Sequence, residues 1–365
     1  MLRSAALATA AAVLQSGERV LGYIVRRTGW AVGLFLVVTM YTYILFFLIP
    51  YNTVVTVGAR GGLASGEAST VRNAVRVHGS FFEEYGTFLW RIVHGDLGRS
   101  FQSRHDVTEL IWQAAPVTGS LVFGAAVVWL LIALPIGVLS AYRPRSLLDR
   151  ASMVFVLIGV SLHPLWIGYM LSWYVGFKLR WLPINGYCDV FNTITSCGGP
   201  VQWAYHLVLP WFTFSLSFAA IYARMVRASV LETLHEDYVR TARAKGLGEW
   251  PVLRSHVLRN AMLPVVTMLG MDMSLAFAGA VFVERVYGLP GIGNLLFNAL
   301  ARRDMPVILG VVVLVTTAIL VANLIVDLLY GVLDPRARVY ERSRRARAQR
   351  RLAAEARGEP AVAAS

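Results

Sequence analysis

Charge, lysine and cysteine are all scarce in this sequence of 365 residues. Charged residues make up 15% of the chain, against roughly 25% in an average soluble domain. This low share of charge excludes a disordered chain, a coiled coil and most soluble enzymes. The two cysteines are too few for a disulfide scaffold or a structural zinc site.

Motifs for nucleotide binding and catalysis are also missing. The only lysines are Lys178 and Lys245, and neither follows a glycine, so the G-x-x-x-x-G-K-[ST] pattern of a P-loop is absent. The histidines are scattered, without a pair at metal-ligand spacing, and no Ser/His/Asp or Cys/His grouping stands out. The glycine-rich run Gly288 to Gly293 is interpreted as a tight turn at the start of a helix. We expect no catalytic residue, no metal site and no cofactor in this chain.

Apolar residues in long charge-free windows are what the sequence has in abundance. Hydrophobic residues make up 56% of the chain, and the mean hydropathy is +0.57. A membrane helix needs about 20 apolar residues with few charges, and six windows meet that requirement. Prolines inside them, including Pro164, are no objection in a helical bundle. We predict an all-α membrane protein whose six transmembrane helices lie near 29–50, 115–141, 151–176, 205–227, 262–284 and 306–331.

The distribution of positive charge predicts the orientation of these helices. Most of the 34 lysines and arginines lie in the N-terminal segment, in the loops 143–150 and 224–260, and in the tail after 335. Positive charge collects on the cytoplasmic side of membrane proteins. Both termini are therefore predicted to be cytoplasmic, and the loops 51–114, 177–204 and 285–305 to face outward.

The two cysteines, Cys188 and Cys197, both lie in the predicted outer loop 177–204. A disulfide persists on the outer side of a membrane more readily than in the cytosol. A disulfide between them is the first interpretation. Two free thiols are the second, and a metal site is the least favoured.

The predicted cytoplasmic loop between the fourth and fifth spans carries the most informative pattern. Helix-forming residues run from Asp237 to Lys245, Gly246 and Gly248 end that helix, and Pro251 suits the first turn of the next. The pattern predicts two short helices with a glycine corner between them. A solvated basic loop that binds anionic lipid is the alternative.

This loop resembles that of the inner-membrane permeases of binding-protein-dependent ABC importers, in the dipeptide, oligopeptide and nickel branch. The resemblance rests on the small residues before Gly246, on Pro264 eighteen positions later, and on matches over roughly residues 20–338. Arg240 replaces the glutamate that opens the family motif, and the segment 51–80 is atypical. The further matching segments are His94 to Ser100, Tyr142 to Pro144, Leu148 to Arg150, Trp181 to Pro183 with Gly186, Tyr287 to Gly293, Arg303-Asp304 with Pro306, Asp327 to Tyr330, and Leu333 to Arg336.

The resemblance implies a permease domain of the type I ABC importer kind over 29–338, with a coupling loop at 228–261. Residues 1–28 would be a cytoplasmic extension, with a cleaved signal peptide as the lesser reading, and 339–365 a basic, disordered cytoplasmic tail. Contact of that tail with lipid or an ATPase is the alternative. The implied coupling helix lies around Ala242 to Leu247. The implied coupling residues are Arg240, Thr241, Ala242, Arg243, Lys245, Gly246, Leu247 and Pro264.

The implied partners are a second homologous permease, two ABC ATPase subunits that hold ATP and magnesium, an extracytoplasmic solute-binding protein and membrane lipid. Nucleic acid is not expected as a partner. The chain itself would not be an enzyme but part of an ATP-driven complex in the cytoplasmic (inner) membrane. A di- or oligopeptide is the first expected solute, and a nickel chelate the second.

Polar residues within the spans are candidates for the substrate path: Asp272, His163, Trp166 and Asn323. An intramembrane carboxylate is costly and is by default a functional hypothesis. Asp272 would line the path, or it would make an internal hydrogen bond to another span. It would also be the coupling site if the chain were an ion-coupled secondary transporter, which is the alternative function. A structural membrane protein without transport is the third hypothesis, and it leaves the loop 237–264 unexplained.

Overall fold

The computed structural model describes residues 26–44, 81–190 and 197–333, and most of these residues are helical. Contacts divide the chain into a main unit, Gly33–Ile319, and a second unit made of Met1–Val32 and Leu320–Ser365. In the second unit the described residues, 26–32 and 320–333, are helical. The predicted extension before residue 26, the segment 51–80 and the basic tail 339–365 lie outside the described residues.

The helices of the described chain are numbered here in chain order. The short segments after residue 248 follow one another directly and are together called α8. The helices are α1 (26–44), α2 (Phe81–Val93), α3 (Val107–Tyr142), α4 (Leu147–Ser161), α5 (Pro164–Leu171, continued by the π-helical Ser172–Lys178), α6 (Pro200–Leu234), α7 (Asp237–Ala244), α8 (Glu249–Pro251, the π-helical Val252–Val257 and Leu258–Ala261), α9 (Leu263–Tyr287), α10 (Ile292–Arg302) and α11 (Met305–Leu333).

Within the described residues, four single helices are long and apolar enough to cross a membrane. They are α3, α6, α9 and α11, and the bent pair α4 and α5 makes a fifth span if it is counted as one. The first predicted span, 29–50, is helical over its described part, which ends at residue 44. The fold is therefore that of an all-α membrane protein.

The third predicted span is not one continuous helix, and that prediction was wrong. α4 ends at Ser161, α5 begins at Pro164, and their axes differ by 104°. Proline has no amide hydrogen, and its ring clashes with the preceding helical turn. It therefore opens α5, while the Nδ1 atom of His163 accepts a hydrogen bond from the amide of Leu165 at 3.2 Å.

The core of the main unit is the packing of α3 against α6. The ring of Trp129 is fully buried and stacks on Phe218 with 4.6 Å between ring centroids. Small residues let the helix backbones approach closely. A Cβ added at Gly137 would lie 2.6 Å from the Cβ of Val226, and one added at Gly159 would lie 2.6 Å from that of Ala220. Close contact along α3, α4 and α6 therefore holds the centre of the bundle.

The glycine run 288–293 forms a tight turn before α10, as the sequence predicts. Gly288 has a φ of +60° and ends α9 in the left-handed conformation. A Cβ at Gly291 would lie 2.3 Å from the carboxyl group of Glu284. That buried carboxylate accepts hydrogen bonds from the hydroxyl of Thr118 at 2.6 Å and from the amide of Asn294 at 2.9 Å. The glycines therefore allow a side chain of α9 to reach the first turn of α10.

Candidate functional site

The short helix α7 is amphipathic, and its apolar face packs against the core of the main unit. Val239 is fully buried and Ala242 is 6% exposed, and both belong to one core cluster with Val252 and Val257 of α8. The opposite face of α7 is exposed. The loop 237–261 is therefore not a loose basic loop but a helical pair with one outward face.

The corner between α7 and α8 comprises Lys245, Gly246, Leu247 and Gly248. Gly246 has a φ of +84°, and its amide donates a hydrogen bond to the carbonyl of Arg243 at 2.9 Å. The implied coupling helix around Ala242 to Leu247 was therefore placed too late in the chain, because the helix is Asp237–Ala244 and glycine ends it. The predicted pair of short helices with a glycine corner is present.

The predicted coupling residues other than Pro264 lie together on α7 and the corner. The guanidinium of Arg240 lies 3.8 Å from the carboxylate of Asp237, and both side chains are exposed. The hydroxyl of Thr241 donates to the carbonyl of Asp237 at 2.9 Å. Lys245 and Leu247 are exposed at the corner, whereas Pro264 lies apart from them in the first turn of α9.

Glu249 connects the corner to the end of α3. Its carboxylate pairs with Arg243 through the Nε atom at 3.0 Å and the Nη2 atom at 3.1 Å, and it accepts a hydrogen bond from the hydroxyl of Tyr142. The Tyr142 hydrogen bond and the Arg243 pair lower the pKa of the Glu249 carboxyl below its usual value. Glu249 therefore stays ionised at neutral pH. No motif in the sequence marks this residue.

A buried ion pair, which no sequence motif marks, joins α4 to α6 beside this loop. Arg227 contacts both carboxylate oxygens of Asp149, at 2.6 and 3.0 Å. Ser140 of α3 donates to the same carboxylate at 2.6 Å, and the amide of Arg145 donates to it at 2.9 Å. Opposite charges at the ends of two apolar windows were the available sequence signal. Three helices are fixed together at this end of the bundle.

These contacts define one end of the main unit, here called the basic end, which carries the loop 143–146 and the segment 235–262. The opposite end carries the turn before α10 and the segment 94–106. There the hydroxyl of Ser100 donates to the buried carboxylate of Asp304, and the amide of Phe101 donates to it at 3.1 Å. Two of the segments that carried the family resemblance, 94–100 and 303–306, therefore meet in the fold.

A mostly apolar groove of about 390 Å³ lies beside the break between α4 and α5. His163 lies in its wall, with its ring edge-on to Phe282 at 5.3 Å between centroids. Of the four predicted path residues, His163 is the one that lines this groove. Its lining residues are His163, Pro164, Phe214, Ser217, Phe218, Ile221, Leu275, Ala278, Gly279 and Phe282.

The other predicted path residues lie elsewhere. Asp272 of α9 accepts a hydrogen bond from the hydroxyl of Tyr222 at 2.8 Å, and Tyr222 is fully buried on α6. Trp166 is 54% exposed on α5 and is absent from the groove lining. Asn323 lies on the part of α11 that belongs to the second unit. The hydrogen-bond partner of Asp272 in the structure is therefore a side chain of a neighbouring helix in the same chain.

Cys188 and Cys197 are joined by a disulfide, with their Cα atoms 5.2 Å apart. The Nδ1 atom of His206 lies 3.2 Å from the sulfur of Cys188. The three side chains together offer atoms within 4.8 Å of one another, which is the spacing of a metal site. Thiolates are the form that binds metal, however, and both sulfurs are engaged in the disulfide.

Comparisons with known proteins agree with this architecture. A family model described as the binding-protein-dependent transport system inner membrane component matches residues 133–339, and the model of the N-terminal part of such components matches residues 20–122.

Curated relatives match nearly their whole length. The chain is 35% identical to the dipeptide transport system permease protein DppB of Escherichia coli strain K12, over 87% of this chain and 99% of that protein. It is 34% identical to DppB of Alkalihalophilus pseudofirmus, over 87% and 99%. It is 33% identical to a putative peptide transport system permease protein of Brucella abortus, over 86% and 98%. The chain therefore belongs to the family of inner-membrane permease components of binding-protein-dependent ABC importers.

Proposed function

We propose that this chain is one transmembrane half of an ATP-driven importer for a peptide-like solute. A second homologous permease pairs with it, two ABC ATPase subunits dock at its basic end, and an extracytoplasmic solute-binding protein delivers the solute. ATP and magnesium are bound by the ATPase subunits, and this chain carries no cofactor. The observation that carries the proposal is α7, which is fixed by one buried face and presents the other to a partner.

The geometry of α7 suits the transfer of a rigid-body movement. Val239 and Ala242 hold it on α8, and the exposed face beyond them carries Arg240 and Thr241. A partner that moves α7 therefore also moves α8, and α8 leads directly into α9. Small shifts at a site of this kind become larger movements where packed helices slide or rotate as units. This chain makes and breaks no covalent bonds in transport. It alternates between two conformations that open to opposite sides of the membrane, and the ATPases shift their populations.

Charge at the basic end supports an acidic docking groove on the ATPase subunits. Arg240 is exposed and its contact with Asp237 is long, so it remains available to a partner's carboxylates. Lys245 is exposed at the corner, next to Leu247, which is 44% exposed. An apolar side chain flanked by cations is typical of an interface with a buried centre and a polar rim.

A di- or oligopeptide is the proposed solute. The relatives are named as dipeptide or peptide permeases, and they match the chain over nearly its whole length. The groove beside the α4–α5 break is lined mainly by apolar and aromatic side chains, with His163 and Ser217 as its polar members. Such a wall accepts peptide side chains of varied shape. Selection among peptides would then rest mainly on the binding protein.

The alternative function, an ion-coupled carrier that uses Asp272, is not favoured. The carboxylate of Asp272 has an internal partner in Tyr222, 2.8 Å away on α6. An asparagine retains a side-chain oxygen that accepts this bond. The variant Asp272→Asn is therefore expected to keep uptake within about twofold of the unchanged protein, because its neutral side chain still accepts the Tyr222 hydrogen bond. Loss of uptake in this variant would favour the ion-coupled carrier over the ATP-driven importer.

Purification of the tagged chain from native membranes in mild detergent tests the assembly. We expect mass spectrometry to identify a second permease of the same family and P-loop ATPases in the purified material. Uptake of a labelled dipeptide into proteoliposomes that contain this complex and its binding protein should require internal ATP. A nickel chelate in place of the dipeptide tests the second solute class. A chain that purifies alone and transports without ATP would overturn the proposal.

A further inference from the structure

Glu249 makes a contact that the covalent path of the chain does not require. The loop 235–262 is joined through the chain to α6 on one side and to α9 on the other. A movement of α7 would reach those two helices even if the loop touched nothing else. Glu249 adds a third connection, because its carboxylate accepts the hydroxyl of Tyr142, the last residue of α3.

The geometry at Glu249 fixes its carboxylate from two directions. Arg243, in the last turn of α7, approaches both carboxylate oxygens, at 3.0 and 3.1 Å. A guanidinium that contacts both oxygens fixes the plane of the carboxylate as well as its position. Tyr142 donates to one of the same oxygens from the far side of the corner. One side chain therefore links the end of α7, the start of α8 and the end of α3.

The helix that this contact reaches is the central one of the main unit. α3 packs on α6 along its length and also contacts α9, α10 and α4. Its end at Tyr142 lies close in sequence to Ser140, which bonds to the Asp149–Arg227 pair. A displacement passed to Tyr142 would therefore act on the helix that holds the others together.

We propose that Glu249 is a positioning residue for energy coupling, which transmits movement of α7 to α3 through Tyr142 and Arg243. This inference rests on the proposed function, because it assumes that an ATPase moves α7. The three side chains act as a brace across the corner, and the brace adds a direct route to α3 beside the two covalent routes.

The test compares how much solute is transported for each ATP hydrolysed. The complete complex, with both permeases, the ATPases and the binding protein, is reconstituted in proteoliposomes as unchanged protein, Glu249→Gln, Tyr142→Phe and the double variant. We expect each single variant to lower the ratio of uptake to ATP hydrolysis by about two- to fivefold, the order expected for an exposed charged contact. Glu249→Gln removes the charge that pairs with Arg243, and Tyr142→Phe removes the hydroxyl that donates to Glu249. The two contacts lie in series between α7 and α3, so the double variant should be no worse than Glu249→Gln.

Glu236→Gln is the matched control. Glu236 is an exposed acid in the same loop, and its side chain makes no contact in the described part of the chain. Its ratio of uptake to hydrolysis should be unchanged. Thermal unfolding of each purified complex separates a positioning role from a structural one, since the variants should unfold at the same temperature as the unchanged complex.

The outcomes distinguish this inference from the proposed function. If the unchanged complex shows no ATP-dependent uptake, the proposed function fails first. If the unchanged complex is active and Glu249→Gln and Tyr142→Phe keep its ratio of uptake to hydrolysis, the inference on Glu249 is overturned. A lower unfolding temperature in step with the lower ratio, or an additive loss in the double variant, would equally overturn it.

Discussion

Gly246 is the residue at which a small change should impair transport while the protein stays in the membrane. Its φ of +84° lies in the left-handed region, where a side chain is strained, but a Cβ there would meet no atom within 4 Å. The variant Gly246→Asp should therefore fold into the membrane but distort the corner that follows α7. We expect uptake to fall by about five- to thirtyfold if the distortion costs on the order of 1–2 kcal/mol in the coupled state. Immunoblots of membranes and uptake assays measure the two effects.

Gly248→Asp is the control for this change, because Gly248 has an ordinary φ of −65° and lies two positions away. It adds the same charge to the same corner without backbone strain. Uptake should therefore stay well above that of Gly246→Asp. Normal uptake in Gly246→Asp would remove α7 and its corner from the coupling role.

The pair of Asp149 and Arg227 is the residue-scale feature on which stability should depend most. The side chain of Asp149 is 8% exposed, and it also bonds to Ser140 and to the amide of Arg145. A fully buried pair loses about 3–5 kcal/mol when one member is removed. Because the Arg227 side chain is 23% exposed, its charge stays partly hydrated in the variant, and the cost should be about 1–3 kcal/mol. Asp149→Ala should therefore lower the unfolding temperature of the purified protein markedly.

The exposed pair of Arg99 and Asp106, whose charged atoms lie 2.9 Å apart, provides the contrast. Its side chains are 77% and 58% exposed. Exposed pairs contribute about 0–1 kcal/mol, so Asp106→Ala should change the unfolding temperature little. Equal effects of the two alanine variants would contradict the assignment of the buried pair as the principal tie at the basic end.

At the scale of helices, close approach of α3 to α6 and α4 makes glycine necessary at particular positions. A Cβ at Gly137 would lie 2.6 Å from Val226 and 2.8 Å from the carbonyl of Ala223. Gly137→Ala should therefore force the helices apart at a cost of about 1–3 kcal/mol, the usual penalty for overpacking. Thermal unfolding in detergent measures the loss.

Gly119→Ala on the same helix is the control, because a Cβ there would meet nothing within 4 Å. In a helix interior alanine is favoured over glycine by roughly 0.5–1 kcal/mol. Gly119→Ala should therefore unfold at the same temperature or a higher one. Equal stability of the two variants would mean that α3 and α6 leave room for a Cβ at position 137.

The helices were found from the sequence because hydropathy is a local property, but their ends were not. The window 115–141 marks the apolar part of α3, whereas the helix begins at Val107 because its first turns pack on α11 and α10. Hydropathy also missed the break before Pro164, since a proline inside an apolar window is compatible with both a kinked and a broken helix. The bend is decided by what the two halves pack against.

The glycine corner between α7 and α8 was predictable from the sequence. The hydrogen bonds and ion pairs around it were not. Gly246 ends α7 by its own conformational freedom, with a φ of +84°, and a sequence displays such a glycine directly. Gly248 has an ordinary φ of −65° and comes directly before α8. The partners Asp149 and Arg227 are 78 positions apart, and Ser100 and Asp304 are 204 apart. No local pattern connects such residues. Asp272 shows the same limit, because its partner Tyr222 lies 50 positions earlier on another helix.

At the scale of the whole molecule, the distribution of charge predicts which end faces the cytoplasm. The chain carries a net charge of +13, and much of its lysine and arginine lies in the segments 143–150 and 224–260 and in the tail that the sequence predicts to be cytoplasmic. Positive loops are retained on the cytoplasmic side during insertion. The basic end should therefore meet the ATPases, and the end that carries the disulfide should face outward, where a disulfide persists.

Single cysteines at the two ends test this orientation in intact cells. Ser103 and Glu236 are both exposed, Ser103 at the end opposite the basic end and Glu236 beside α7. With Cys188 and Cys197 replaced by serine, a membrane-impermeant maleimide applied to spheroplasts should label Ser103→Cys and leave Glu236→Cys unlabelled. Permeabilising the membrane should expose Glu236→Cys to the reagent, which shows that the site itself is reactive. Labelling of Glu236→Cys alone in sealed spheroplasts would reverse the orientation, and an α7 that faces outward has no route to an ATPase.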